Sequence, residues 1–176
     1  IIERFKILME KEYKPAPTQF SAFVELTKPR ITSLVVITSA FGYYLGARGF
    51  DSIFTLVALL CGTALVSAGS GAMNHYMERE TDKLMIRTRN RPLPAGILKE
   101  ETVFWFGFLL IFLGVFVLLF LTNLLTAFLA LLTAFLYIFI YTPLKKITWL
   151  NTSIGAIPGA IPPLGGWAAA TGERSE

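Results

Sequence analysis

Asn74, Glu78 and Asp82 follow one another at intervals of four residues. On an α-helix that spacing lines three oxygen-bearing side chains along one stripe, about 6 Å apart along the axis. Hard oxygen donors in such a row suit Mg²⁺, which takes one or two carboxylates and fills its other positions with water and a substrate phosphate. Glu78 and Asp82 repel when both are ionised, and a divalent cation relieves that repulsion. Glu80 lies about 200° round the helix from Glu78, so it is expected to face solvent beside Lys83 or Arg79. Downstream, Arg87, Arg89 and Arg91 alternate in R-T-R-N-R-P-L-P. Guanidinium holds phosphate oxygens in a fork and keeps its charge when desolvated. An acidic row followed by a dense basic loop reads as a clamp for a metal-bound diphosphate, in which not all three arginines need touch the ligand. Cations that only set orientation would explain the sign of this loop, but not why Asn74, Glu78 and Asp82 share a face.

Tyr141 and Lys145 end an apolar run on the same side of the membrane as the stripe. A tyrosine there either anchors the interface or donates to a departing diphosphate, with Lys145 as a point charge and Lys146 the less favoured lysine. His75 is the single histidine. One imidazole without a second ligand is weak support for a haem contact, so it reads as a polar residue at a helix end.

These side chains hang on membrane elements. Of 176 residues, 54% are hydrophobic and 16% charged, less charge than a soluble domain carries. Apolar runs of about 20 residues define an all-α integral membrane protein, a bundle of helices crossing the bilayer. Five spans are expected, over about 31–47, 53–73, 103–121, 124–141 and 152–170. They form one membrane domain over 27–172, after an arm at 1–26 and before the start of a loop at 173–176. Ile1–Lys14 reads as a surface helix, not a secretory signal. The short Thr122-Asn123 connection makes spans three and four antiparallel neighbours. Span five holds Pro158, Pro162 and Pro163 among glycines, so an unbroken helix is not expected there, and the segment reads either as a broken helix lining a cavity or as a kinked structural helix. The lone Cys61 reads as a small packing residue.

Positive charge sorts across these spans. Arg4, Lys6, Lys11, Lys14, Lys28, Arg30, the loop from Arg79 to Lys99, and Lys145–Lys146 fall on one side, against Arg48 and Arg174 on the other. The positive-inside rule puts the first side, with the N-terminus, in the cytoplasm or mitochondrial matrix. Lipid bilayer, not nucleic acid, is the expected surroundings.

The pattern of Asn74, Glu78 and Asp82 followed by R-T-x-x-R-P resembles the UbiA-type intramembrane prenyltransferases. Leu26-Thr27-Lys28-Pro29-Arg30 is shared loosely with them. Within that superfamily, Tyr141-Thr142-Pro143-Leu144-Lys145 and N-T-S-I-G-A-I-P-G-A-I-P-P-L-G-G-W-A-A-A-T-G are similar to the haem O synthases. The resemblance implies nine spans around a cavity, of which this chain supplies about five, and a second Asp-rich motif that is absent here. A fragment with half a metal site is expected to be inactive alone. The superfamily more often has Asp where Glu78 stands. The resemblance further implies that Asn74, Glu78 and Asp82 hold Mg²⁺, and that Arg87, Arg91, Tyr141 and Lys145 hold the diphosphate of farnesyl diphosphate. The farnesyl group would pass to a vinyl group of protohaem IX for respiratory haem biosynthesis, with a membrane partner in haem supply. Three alternatives stand beside it: a relative acting on an aromatic or quinone precursor, a transporter built on broken helices, and a purely structural subunit.

Overall fold

A computed structural model describes residues 18–49, 51–145, 147–148 and 150–172. The expected surface helix over Ile1–Lys14, and the charges Lys146 and Arg174, lie outside the described residues. The described residues form helices and connecting turns, with no strand among them.

A short helix, α1 (Gln19–Leu26), opens under a Thr18 cap whose hydroxyl accepts from Ser21 N at 3.2 Å. α2 (Pro29–Ala47) follows at once, with Pro29 in its first turn, where a missing N–H costs nothing. Arg48 and Gly49 then turn the chain with positive φ. α3 (Ile53–Leu84) is capped by Ser52, which accepts from Thr55 N at 3.2 Å. At 1.5 Å per residue its 32 residues reach about 48 Å, well past a hydrocarbon core of about 30 Å. Its last three turns therefore carry the polar stripe out of the greasy layer.

α4 (Glu100–Leu121) returns alongside α3. Glycines set how close they come. A Cβ at Gly69 would stand 2.6 Å from Gly107 O, and one at Gly114 would stand 2.7 Å from Gly62 O. Such contact between backbones is how helices pack in lipid, where no hydrophobic force drives them together. α5 (Leu124–Phe135) starts under Asn123, whose Oδ1 accepts from Thr126 N at 2.8 Å. It widens into a π-helical stretch, Leu136–Tyr141, before a short turn, α6 (Thr142–Leu144). α7 (Asn151–Gly172) packs on α2 and α5.

α7 corrects the expectation that no unbroken helix forms here. It runs without interruption through Pro158, Pro162 and Pro163. Each proline leaves the carbonyl four residues earlier without its helical donor; two of those carbonyls belong to Pro158 and Gly159, which border a cavity. The helix is braced from outside instead. Ser39 Oγ donates to Pro162 O at 3.2 Å, and Gly42 and Gly166 let α2 and α7 touch, a Cβ at either meeting backbone at about 2 Å.

Among the described residues, three helical stretches, Ile53–Leu84, Glu100–Leu121 and Leu124–Leu144, are long and apolar enough to cross a membrane. α2 and α7 match the first and fifth expected spans in position. The outer face of α4 carries exposed Trp105, Phe108, Phe112, Phe116 and Phe120, as a surface against lipid should. The bundle is an all-α integral membrane architecture.

Candidate active site

The helical stripe brings Asn74, Glu78 and Asp82 to one place, and all three are buried, at 0, 5 and 4% exposure. Buried carboxylates demand partners. Asp82 Oδ2 accepts from Arg91 Nη1 at 2.7 Å, and Glu78 Oε2 lies 3.9 Å from the same nitrogen. Glu78 Oε1 pairs with Lys145 Nζ. Asn74 Oδ1 accepts from Lys28 Nζ, while its Nδ2 donates to Thr142 Oγ1 at 3.0 Å. Two carboxylates thus meet three cations in one half-buried cluster.

The loop that carries Arg91 is folded rather than loose. Thr88 Oγ1 donates to Asp82 O at 3.0 Å, Ala95 N to Arg91 O at 2.9 Å, and Gly96 turns the chain at φ 71°. Leu93 and Leu98 bury against Ala22, Leu26 and Val103. α1 and the basic loop therefore lock together over the end of α3. Arg87 and Arg89 are exposed and stand outside the ion-pair network. Glu80 points away, with Lys83 Nζ at 3.1 Å and Arg79 Nε at 3.8 Å. Arg79 reaches on to Glu100 at 2.9 Å, tying α3 to the start of α4.

Lys28 was not singled out by spacing as a site residue, yet it stands at the centre. Its backbone is left-handed, φ 47°, a conformation that costs a non-glycine residue of order 1–3 kcal/mol. Burial, and after it the Arg91 guanidinium, push its ammonium down to about 8. Nζ also donates to Tyr137 Oη at 3.4 Å. Gly71 makes the junction possible, since a Cβ there would stand 2.8 Å from Leu26 O. The only sequence signal was the K-P step before span one, which reads equally well as a topology charge. Tyr137 and Tyr141 stack with ring centroids 5.5 Å apart, and Lys145 lies 5.8 Å above the Tyr141 ring. His75 is buried, and its Nδ1 has no hydrogen-bond partner.

Beside the cluster opens a cavity of about 550 Å³. Lys28, Tyr137 and Tyr141 line its polar end, and α2, α3, α4, α5 and α7 supply its walls. Val66 and Gly71 mark the near part of the α3 wall, while Leu59 stands at the far end with Leu118 and Thr126. From Gly71 back to Leu59 is about 18 Å along the helix. A charged cluster thus adjoins a deep, largely apolar space.

The all-helical membrane bundle thus carries an acid–cation cluster at the mouth of an apolar cavity. Residues 35–175 match the UbiA prenyltransferase family, and the chain belongs to that family. A protoheme IX farnesyltransferase of Myxococcus xanthus is 41% identical over 165 residues, covering 94% of this chain and 56% of that protein. One from Sorangium cellulosum is 51% identical over 118 residues, covering 67% of this chain and 42% of that protein. A mitochondrial protoheme IX farnesyltransferase of Gibberella zeae is 39% identical over 172 residues, 92% of this chain and 34% of that protein. The chain spans about half the length of the bacterial relatives. A solved structure of a digeranylgeranylglyceryl phosphate synthase shares the fold, with TM-score 0.65 at 20% identity over 84% of this chain and 60% of that one.

Proposed function

We propose that the protein carrying this chain transfers the farnesyl group of farnesyl diphosphate to a vinyl group of protohaem IX, making haem O. The observation that carries the reading is one juxtaposition. Glu78, Asp82, Arg91, Lys145 and Lys28 form a buried charged cluster whose Lys28 also lines the apolar cavity. The names of the relatives supply the substrate pair.

Asn74, Glu78 and Asp82 offer Mg²⁺ an amide and two carboxylate oxygens, a hard donor set with room for phosphate oxygens. No group of three His, Cys, Asp or Glu side chains fit to hold a metal occurs among the described residues, so this set supplies part of a coordination sphere. A Mg²⁺ held by these oxygens would supply positive charge beside the diphosphate. Lys28, Arg91 and Lys145 then receive the phosphate oxygens, with the exposed Arg87 as an outer cation and Tyr141 donating its hydroxyl. The allylic C–O bond breaks with its electron pair leaving on diphosphate. The vinyl π pair forms the new C–C bond, water adds to the resulting porphyrin cation, and one proton is released. Fixed cations aimed at the departing charge lower the barrier most, while Val66, in the near part of the cavity wall, keeps bulk water from the allylic cation.

The described residues form part of one nine-span domain. Lys28, Arg91 and Lys145 mark the cytoplasmic or matrix side, in a bacterial or mitochondrial inner membrane. Membranes containing the full-length protein, given labelled farnesyl diphosphate with protohaem or with 4-hydroxybenzoate, should label the haem. Label on the benzoate alone would overturn the acceptor assignment.

A further inference from the structure

Gly165 lacks the packing reason that most helical glycines here have. At Gly42, Gly62, Gly69, Gly107, Gly114 and Gly166, an added Cβ would meet a neighbour at 3.0 Å or less. At Gly165 it would meet nothing within 4 Å, and the backbone has no positive φ. Glycine is a poor helix former, so an interior glycine that neither packs nor turns calls for another cause. Gly159 is also open and also borders the cavity, but it is exposed, toward the charged end of α7. Gly165 is buried, so the space beside it is internal, and that space is the cavity.

Its place is the far end. Pro158, Pro162 and Gly165 fall at i, i+4 and i+7, one stripe of α7, and all three line the cavity. Gly165 O accepts from Thr126 Oγ1 at 3.4 Å, beside the α5 cap. There Asn123 Nδ2 donates to Ala168 O at 2.8 Å and clasps α5 to α7. Thr126 and Leu118 share this end, remote from Lys28 and Tyr141. A chain whose diphosphate sits at the charged cluster would bring its last isoprene unit here.

We propose that Gly165 is a specificity-determining residue: the side chain it lacks leaves room for the terminal isoprene unit, so position 165 sets the longest prenyl chain accepted. This rests on the prenyl-transfer reading above. The test compares farnesyl and geranyl diphosphate as donors to protohaem, in membranes holding the full-length protein. Gly165→Val should lower the farnesyl-to-geranyl rate ratio about tenfold or more, the discrimination that a few methylenes in an apolar pocket provide. Gly165→Ala should shift it less in the same direction, and decides the matter if the valine variant does not accumulate. Ala160→Val, on the exposed face of α7, should leave the ratio unchanged. Thermal stabilisation by the two thiolodiphosphate analogues repeats the comparison without an acceptor. A wild-type protein that transfers to no haem sinks the proposed function, while the analogue comparison still decides on Gly165. Equal loss for both lengths, or no change in the ratio, overturns the role of Gly165.

Discussion

Lys28 and Arg91 hold the acidic stripe from opposite sides, one from before α2 and one from the loop after α3. They differ in what their loss should do. Arg91→Ala leaves Asp82 buried without its cation, and breaking such a pair costs about 3–5 kcal/mol; a drop in detergent melting temperature together with activity is the expected result. Lys28→Met removes a cation from a cluster where Asn74 keeps Thr142 as a partner. The fold should persist while farnesyl transfer falls about 10²–10³-fold, the usual loss for one preorganised donor. Arg87→Ala should change the rate only a few-fold, since Arg87 is exposed; a loss as large as that of Arg91→Ala would contradict this ranking. The stripe was legible because helical periodicity alone puts residues four apart on one face. Lys28 was not, because its partner Asn74 is 46 residues away and a lysine beside a span serves topology equally well.

At the scale of elements, glycine decides which helices touch. α3 and α4 meet through Gly62, Gly69, Gly107 and Gly114, each occupying a place where a methyl would strike backbone or a packed side chain. Gly114→Val should cost about 1–3 kcal/mol, as overpacking does, read as a lower melting temperature with the farnesyl-to-geranyl ratio unchanged. Small residues in span two announced close packing, though not the partner helix. α7 shows where local rules mislead. Three prolines predict a break, but packing on α2 and the Ser39 bond to Pro162 O hold one helix together. The π-helical stretch at Leu136–Tyr141 had no sequence signal, since L-Y-I-F-I-Y reads as ordinary apolar helix. Such wide turns concentrate at functional sites, and this one delivers Tyr137 and Tyr141 to the cavity.

The long helices alternate in direction along the chain, with α2 and α7 side by side in the same direction, and their charged ends gather on one side. Lys28, Arg91 and Lys145 meet at one end of the bundle, while Arg48 lies at the other end of α2. Membrane-impermeant thiol labelling should therefore modify an Arg89→Cys variant only from the cytoplasmic or matrix side, and a Gly49→Cys variant only from the opposite side. Labelling of both from one side would contradict the orientation. Fold class was legible from composition, because long apolar runs leave few alternatives. The cavity was not, because residues of five separate helices line it.

In the proposed reaction the buried acids of α3 help a diphosphate depart. The most direct test of this role is the initial rate of farnesyl transfer to protohaem by the full-length protein bearing Glu78→Gln and Asp82→Asn together, titrated with Mg²⁺. A rate at least about 10²-fold below wild type at every Mg²⁺ concentration is predicted. Wild-type turnover in the doubly substituted protein, or in the intact protein stripped of divalent ions, would contradict the account.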